Sequence, residues 1–533
     1  MSHRETLTDL GAIVFVAATL ALALEPFQNA PFVDDWTYAW SVEHFLQTRE
    51  LKILDWSTSI HVVQTLWASL FCLPFGFSFT ALRLSTWVLS VAGLCGLYLT
   101  LRQFGVARRD ALLGTAILGS HPVYFILSFT FMTDIPFLAL TIWFCYFLVR
   151  GIQEERSSWL IAASLAASAS IGIRLTGLVL PGAMLMTLLV GAGRWGRRPA
   201  RVASVLIPVT FAVGLWLWYP SHVEQRGDLM WAEGSLAARR AALVQYALPH
   251  LPKWLVQQAW FSVHELGLAL SSLAVSLSRR RDLALVLAGG AMLLTLYFAN
   301  DTRYTVLKPG QTWTIGELGA TEPQVPGRVG PRLPRRWRPV FAAATIALFA
   351  LATVPAGRGR TPRGILALVW LSAGFFVLGA ALWLFYDRYI LPFVFASVVL
   401  LLARRPIARP LAAASVTMVF LGVSVVGTRD HLSYNEALWS AVAYLREEMG
   451  ARASDIDGGY VVNGWLRYAH PDPAMVDAGT LIHVPWVNAR GGESLYQIAD
   501  KPMDGYHELA AIFYHRRLAP SGAIHVLKRK DGP

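Results

Sequence analysis

The apolar run TALRLSTWVLSVAGLCGLYLTL, residues 80–101, is followed by the basic segment RQFGVARRD and then by a second apolar run at 111–127. Runs of about 20 apolar residues have the length of a helix that crosses a bilayer. The same alternation of apolar runs with short, arginine-bearing loops recurs along the 533-residue chain. Hydrophobic residues make up 55% of the chain and charged residues 15%, against about 25% charged residues in soluble proteins. The composition therefore excludes a soluble protein and predicts a polytopic α-helical membrane protein.

About thirteen runs are candidate transmembrane helices. They lie at 10–24, 80–101, 111–127, 135–150, 158–173, 175–193, 202–219, 255–278, 283–299, 339–354, 364–385, 389–403 and 409–426. With the N-terminus in the cytoplasm and each run crossing once, the short arginine-rich loops fall on the cytoplasmic side, as the positive-inside rule requires. A crossing at the apolar run 61–75 would move every later basic loop outside. This run is therefore predicted to be a juxtamembrane helix at the outer interface.

The remaining segments are predicted to lie outside the membrane. A transmembrane catalytic domain at 1–426 carries a first external loop at 26–79 and further external loops at 220–254 and 300–338. A small soluble α/β domain at 427–533 is expected on the outer face. Its prediction rests on a helical pattern and three short strand-like runs, which lie at 433–449, 459–462, 511–514 and 523–527.

The net charge of +12 is explained by this topology. Of the 46 basic residues 40 are arginine, and the predicted cytoplasmic loops hold 19 basic residues against six acidic ones. A nucleic-acid partner would need a continuous basic surface. Because the basic loops are short and separated by membrane spans, we expect no nucleic acid among the partners.

The segment FVDDWTY, residues 32–38, is the sharpest candidate for catalysis. Asp34 and Asp35 follow the first apolar run directly, at the depth of a lipid headgroup. Two neighbouring carboxylates raise the pKa of one of them, which suits a general base. The alternative interpretation is a solvated acidic loop or a helix N-cap.

Asp134 is a second candidate, in the segment TFMTDIP at 130–136. It lies at the turn between the third and fourth predicted spans, on the same face as Asp34 and Asp35. Pro136 fits the first turn of a helix, so an N-cap role is the alternative. Three carboxylates on one face of a membrane protein favour a site.

Arginines at membrane depth are candidates for binding a phosphate headgroup. Arg388 and Tyr389, in the segment YDRYILP, lie at an outer turn, where a local ion pair with interfacial tyrosines is the alternative. Arg174, at another outer turn, either extends its side chain to the interface or binds an anion.

Two further basic residues are assigned to the same role. His61 begins the juxtamembrane helix, where it contacts a phosphate or an acceptor, or caps the helix. Arg303 stands at the mouth of the 300–338 loop and would meet an anionic headgroup.

The order of these motifs resembles the GT-C superfamily of membrane glycosyltransferases, and within it the protein O-mannosyltransferase and lipid A aminoarabinose transferase branch. The resemblance implies that a sugar moves from a polyprenyl-phosphate carrier to an acceptor hydroxyl on the outer face of a bacterial inner membrane, with inversion. Asp34 matches the catalytic residue of the family, Asp35 its acidic neighbour, and Asp134 the acidic residue of the second loop. Arg174 and Arg388 would hold the lipid phosphate. Because metal dependence varies across the superfamily, a divalent metal ion at Asp34 and Asp134 stays open.

The implied partners are the lipid-linked donor, membrane lipids and a lipid, glycan or protein acceptor. The sequence contains no P-loop, no Gly-x-Gly-x-x-Gly motif and no zinc-ligand spacing, which argues against ATP-driven chemistry. The alternative function is a flippase or transporter of polyprenyl-linked glycans or lipids without covalent chemistry. A transporter is expected to carry ionisable residues near mid-bilayer. Here they cluster at the predicted outer interface, which favours the enzyme.

Overall fold

A computed structural model describes residues 3–57, 59–190, 199–224, 248–277, 338–356, 364–381, 387–471, 494–518 and 521–530. In these ranges the regular secondary structure up to residue 443 is helical, apart from two short strands, and loops and turns connect the helices. Within the described ranges, five helices are long and apolar enough to cross a membrane, at Arg4–Leu24, Phe79–Gln103, Asp134–Glu154, Arg201–Ser221 and Pro410–Glu448. Six shorter apolar helices accompany them. The chain is therefore a multi-pass helical membrane protein. The predicted span 283–299 lies outside the described residues.

The helices overlap the predicted apolar runs, but the predicted runs 111–127 and 255–278 each contain two helices, and the last helix extends past the predicted end at 426 to Ala443. The helices extend over His3–Leu24, Asp35–Thr48, Val62–Cys72, Phe79–Gln103, Arg108–Gly119, Pro122–Leu127, Asp134–Glu154, Ser157–Ile171, Val179–Val190, Pro199–Trp218, Leu248–Ala269, Ser271–Leu277, Arg338–Ala356, Ile365–Ala381, Leu391–Leu402, Pro410–Ala443 and Gly459–Asn463. Short 3₁₀ turns lie at Leu175–Leu178, Tyr219–Ser221, Asp387–Ile390 and Ala453–Asp455, and π-helical turns at Tyr444–Glu448 and Gly464–Ala469. The strands are Ile53–Leu54, Val223–Glu224, Ile456–Asp457, Tyr496–Ala499, Tyr506–Tyr514 and Gly522–Arg529.

The predicted span 111–127 is divided into two helices. The first ends at Gly119 and the second begins at Pro122. A proline lacks the backbone N–H that would continue the helical hydrogen bonds, but it fits the first turn of a new helix. The chain therefore bends between these two residues.

Contacts at both ends of the helical region give the relative direction of the first helix and helix Phe79–Gln103. At one end, Asp9 of the first helix accepts a hydrogen bond from the Tyr98 hydroxyl at 2.5 Å and forms a salt bridge with Arg108 at 2.6 Å. At the other end, the backbone N–H of Phe79 donates to the Asn29 side chain at 2.9 Å. The first helix and helix Phe79–Gln103 are therefore antiparallel, and the arginine-bearing loop after Gln103 lies at the Asp9 end.

Helix Asp134–Glu154 runs in the same direction as helix Phe79–Gln103. The Gln103 amide donates to Gln153 at 2.7 Å, so the C-terminal ends of both helices meet at the arginine-bearing end. Asp134, the first residue of its helix, consequently lies at the end where Asn29 is found.

The last part of the chain contains a four-stranded mixed sheet. Its spatial order is Ile456–Asp457, Tyr496–Ala499, Gly522–Arg529, Tyr506–Tyr514, with the first pair parallel and the others antiparallel. The sheet packs through Ile498, Ile524 and Val526 against Leu438 and Leu445, which lie in the C-terminal part of the long helical segment Pro410–Glu448. The division into domains at 1–426 and 427–533 stays a prediction. Helix Pro410–Ala443 passes through that position without a break.

One predicted strand is wrong. Residues 511–514 and 523–527 do lie in strands, but residues 459–462 form the helix Gly459–Asn463. The Asp457 carboxylate accepts hydrogen bonds from the Gly459 backbone at 3.2 Å and from the Asn463 amide at 2.8 Å, and so stabilises the helix start. A short apolar run does not distinguish a strand from a helical turn, so the sequence pattern was ambiguous here.

Candidate active site

Asp34 immediately precedes helix Asp35–Thr48 and leaves its side chain free to face other elements. It occupies the N-cap position, but its side chain makes no capping hydrogen bond. The carboxylate keeps 25% of its side-chain surface exposed. Its Oδ2 lies 3.5 Å from Arg388 Nη1, and its Oδ1 accepts a hydrogen bond from the Tyr460 hydroxyl. Asp34 is thus an accessible carboxylate rather than a helix cap.

Asp35, predicted to act beside Asp34, is placed differently by the structure. Its side chain is fully buried and lies 3.5 Å from the equally buried Arg83 guanidinium. Its Oδ1 accepts the Phe32 backbone N–H at 2.5 Å. Burial raises the pKa of the Asp35 carboxyl to about 7. The cause is therefore desolvation and not the repulsion between neighbouring carboxylates that the sequence predicts.

Arg83 ties the Asp35 carboxyl to the loop that carries Asp34. Its guanidinium donates to the carbonyl oxygens of Gln28 at 2.6 Å and Ala30 at 2.5 Å. Because Arg83 and Asp35 are both closed to solvent, neither reaches a substrate in this arrangement. We expect them to fix the course of residues 28–35 and thereby the position of Asp34.

Asp134 lies between two arginines from distant parts of the chain. Its Oδ1 is 2.9 Å from Arg174 Nη1 and 4.0 Å from Arg388 Nε. Thr133 occupies the N-cap position, and its hydroxyl accepts a hydrogen bond from Arg174 Nε at 2.6 Å. The Asp134 carboxylate is buried. It holds the two guanidinium groups close together despite their like charge.

Tyr389 lies beneath both guanidinium groups. The centroid of its ring is 5.4 Å from the central carbon of Arg174 and 5.6 Å from that of Arg388. Such distances allow cation–π attraction. Both arginines therefore contact this tyrosine in addition to the Asp134 carboxylate.

A pocket opens beside this cluster and has two chemically different parts. Its polar part contains Asp134, Arg174, Arg388 and Gln258. Its apolar wall includes Phe137, Phe375, Leu378, Leu391 and Phe393. The arrangement suits an amphiphile that carries an anionic group at one end and a hydrocarbon chain at the other.

The C-terminal part of the chain contributes Tyr460, which the sequence analysis missed. The Tyr460 hydroxyl accepts a hydrogen bond from the Trp56 indole at 3.0 Å, and its own proton goes to Asp34. Burial, followed by the charge of Asp34, raises the pKa of Tyr460 well above its ordinary value. This tyrosine is consequently a proton donor to Asp34 and stays protonated.

Glycine and aromatic residues allow the C-terminal segment to approach the first loop closely. A Cβ atom on Gly464 would lie 2.4 Å from Cε2 of the Trp36 ring, so only glycine fits at this position. The Tyr468 hydroxyl reaches Asp55 Oδ1 at 2.5 Å. These contacts bring Tyr460 to Asp34 although 426 residues separate them in the sequence.

His61 lies apart from the pocket-lining residues. Its side chain is fully buried, its Nδ1 is 2.8 Å from the Ser59 carbonyl oxygen, and its Nε2 is 3.0 Å from the Ser41 hydroxyl. Burial lowers the pKa of His61 to about 4, so the ring is neutral near pH 7. The histidine connects Ser41 and Ser59 within the first loop and, being neutral, does not attract a phosphate. Arg303, the other predicted basic residue, lies outside the described residues.

A metal ion does not fit the carboxylates as they are arranged. Asp34 and Asp134 both face Arg388, so the cation between them is a guanidinium. In the described part of the chain, no group of three or more histidine, cysteine or acidic side chains is positioned to hold a metal.

The family model of the dolichyl-phosphate-mannose-protein mannosyltransferases matches residues 62–218. The match covers under a third of the chain and includes Asp134 and Arg174. It confirms over this segment the predicted resemblance to the protein O-mannosyltransferase branch of the GT-C superfamily. Curated protein sequences give no match to the chain.

Several solved structures are similar to the chain. One is ArnT from Cupriavidus metallidurans bound to undecaprenyl phosphate, with 14% identity, coverage of 98% of both chains and a TM-score of 0.44. Another is the oligosaccharyltransferase AglB from Archaeoglobus fulgidus in complex with an inhibitory peptide and a dolichol-phosphate, with 12% identity and a TM-score of 0.40. The latter similarity covers 83% of this chain and 58% of that chain.

Proposed function

We propose that this protein is a glycosyltransferase that moves a sugar from a polyprenyl-phosphate carrier to an acceptor hydroxyl, with inversion at the sugar carbon. One observation carries the proposal. Asp134, Arg174 and Arg388, from three separate segments, form the polar end of a pocket with an apolar wall, and Asp34, from a fourth segment, pairs with Arg388. The match to a mannosyltransferase family model supports the same reaction class.

In this proposal the two arginines bind the donor phosphate. Arg174 and Arg388 both line the pocket, and guanidinium groups bind phosphate oxygens through paired hydrogen bonds. The prenyl chain would lie along Phe137, Phe375 and Leu378. When the phosphate arrives, it competes with the carboxylates for the guanidinium donors. The resting ion pairs thus keep the arginines ordered before the donor binds.

Asp34 is the proposed general base. The acceptor hydroxyl transfers its proton to the Asp34 carboxylate while its oxygen forms a bond to the sugar C1. The bond between C1 and the phosphate oxygen breaks, and the electron pair leaves with the polyprenyl phosphate. Arg388, 3.5 Å from Asp34, is positioned to stabilise the charge that develops on the leaving group.

The Tyr460 hydroxyl occupies one position in which an acceptor would approach the base. It points its proton at Asp34 Oδ1, as an acceptor hydroxyl must do before it is deprotonated. The acceptor therefore has to displace Tyr460 to use this oxygen. The C-terminal segment becomes part of the catalytic site in this account.

The location of the site supports an enzyme over a flippase or transporter. Asp134 is the first residue of a long apolar helix, and Asp34 precedes a helix outside the first span. The site residues thus gather at one end of the helical region. We further propose that this end and the C-terminal domain face the outside of a bacterial inner membrane, with the N-terminus in the cytoplasm.

Donor binding is tested with Arg388→Met in the full chain, reconstituted in nanodiscs. Without the guanidinium, the affinity for polyprenyl phosphate should fall at least tenfold, because a charge-assisted bond to phosphate is worth about 1.5–3 kcal/mol. Arg452→Met is the matched control, since Arg452 is 73% exposed and forms a local pair with Asp455. An unchanged affinity in the Arg388 variant would contradict the proposed donor site.

A further inference from the structure

Gln258 has a buried side chain that takes no part in the ion pairs between Asp134, Arg174 and Arg388. It belongs to helix Leu248–Ala269 and is 2% exposed. It lines the same pocket as Asp134, Arg174 and Arg388. Among the described residues its Oε1 atom has no hydrogen-bond partner. A buried amide oxygen without a partner costs stability, and in native proteins it calls for an explanation.

Apolar side chains form much of the pocket that Gln258 shares with the polar cluster. Phe375 and Leu378 line the pocket with it and offer no side-chain donor to an amide oxygen. On one side stands Gly379, where a Cβ atom would be 3.2 Å from Nε2 and 3.3 Å from Cδ of Gln258. Glycine thus leaves the amide room that any larger residue would reduce. A partner for the amide oxygen is expected to be a molecule in the pocket.

We infer that the Gln258 amide is a subsite for the sugar of the lipid-linked donor. This inference rests on the proposed function and adds the group that the residue recognises. An amide presents one hydrogen-bond acceptor and one donor group, whichever way its oxygen and nitrogen are assigned. A phosphate group has only acceptor oxygens when ionised, so it cannot satisfy the amide oxygen. A sugar hydroxyl or amino group can satisfy both.

The position of the amide fits this assignment. The sugar is covalently attached to the phosphate that Arg174 and Arg388 would hold, so its hydroxyl groups lie within a few bonds of that phosphate. Gln258 lines the same pocket as both arginines. A sugar-free carrier lipid would leave the amide unsatisfied, whereas the sugar-bearing donor would satisfy it. Gln258 therefore favours the donor over the spent carrier.

The experiment compares two ligands of equal chain length, polyprenyl phosphate and the corresponding polyprenyl-phosphate sugar. Their affinities are measured on the full-length protein in nanodiscs. Gln258→Leu should weaken the sugar-bearing ligand about tenfold, because the sugar then meets an apolar side chain. The sugar-free ligand should keep its affinity within about twofold, which also shows that the variant is folded.

Two further variants complete the test. Gln257→Leu is the matched control, since Gln257 is also buried but does not line the pocket, and both affinities should stay unchanged. Gly379→Ala leaves the glutamine in place but presses on its amide, so it should weaken only the sugar-bearing ligand, by about threefold.

The results distinguish this inference from the proposed function. If the wild type binds and transfers the sugar but Gln258→Leu and Gly379→Ala leave the preference for the sugar-bearing ligand unchanged, the subsite is wrong and the glycosyltransferase stands. Equal weakening of both ligands by both variants would likewise overturn the subsite. If the wild type binds neither ligand, the proposed function fails and the subsite fails with it.

Discussion

The hydrogen bond from the Tyr460 hydroxyl to Asp34 predicts that this hydroxyl competes with the acceptor for the catalytic carboxylate. In Tyr460→Phe the ring remains, but the proton aimed at Asp34 and the acceptor of the Trp56 indole N–H are lost. If an acceptor hydroxyl displaces that of Tyr460, the variant should bind acceptors more tightly. Water should also reach the freed carboxylate oxygen more easily.

The size of the effect follows from the exposure of Asp34. A hydrogen bond to a charged group contributes about 1.5–3 kcal/mol. Asp34 keeps 25% of its side chain in contact with solvent, so screening and competition by water reduce the value to about 1 kcal/mol. A change of about 1 kcal/mol corresponds to roughly fivefold in an equilibrium constant. We therefore expect the KM for the acceptor to fall about fivefold.

The assay measures sugar transfer and donor hydrolysis side by side. With saturating donor and no acceptor, hydrolysis by Tyr460→Phe should exceed that of the wild type by a similar factor. Tyr468→Phe is the matched control, because that hydroxyl binds Asp55 instead of Asp34. It should leave the ratio of hydrolysis to transfer unchanged. An unchanged acceptor KM and hydrolysis rate in Tyr460→Phe would refute the idea that this tyrosine occupies the acceptor position.

The buried groups around the site give three more predictions. Because burial raises the pKa of Asp35 to about 7, from about 3.9 when unfolded, the folded state keeps a proton that the unfolded state loses between pH 4 and 7. The contribution of Asp35 to stability therefore falls as the pH rises through that range. The unfolding temperature of Asp35→Asn should consequently decrease less between pH 4 and 7 than that of the wild type. An equal decrease in both proteins would contradict the assignment. Arg83→Met should destabilise the protein by about 3–5 kcal/mol at pH 8, where the buried Asp35 carboxyl is ionised and loses its cation; denaturation of the reconstituted protein at that pH measures this, and a loss below about 1 kcal/mol would count against the pair. His61→Leu should lower the unfolding temperature but leave the polyprenyl phosphate affinity of the folded fraction unchanged, and a selective loss of that affinity would restore a phosphate-binding role for His61.

The site residues that could be predicted from the sequence are charged residues at the ends of apolar runs. Asp134 and Arg388 each stand at the end of an apolar run, and the pattern of charged loops assigns these ends to one face. The structure brings both together with Asp34. For these three residues, the sidedness of the chain predicted a common face, and the structure adds the contacts between them.

The residues that the sequence did not reveal depend on tertiary packing. Tyr460 lies in a short apolar run whose pattern did not distinguish a strand from a helix, and no local feature connects it to Asp34. The burial of Asp35 is equally absent from the sequence, because adjacent aspartates look alike until the fold separates them. Arg83 and Gln258 left a usable signal. Each is a polar residue inside a predicted span, where such residues are expected to bind something.

The reaction itself is tested most directly by Asp34→Asn, assayed for transfer from a polyprenyl-phosphate sugar in reconstituted membranes. Asparagine keeps the size and shape of the side chain but cannot accept a proton, and a positioned general base contributes about 10²–10⁴-fold. We predict that transfer falls by at least about a hundredfold while the affinity for the donor changes little. Transfer at the wild-type rate, with donor binding intact, would contradict the assignment of Asp34 as the base.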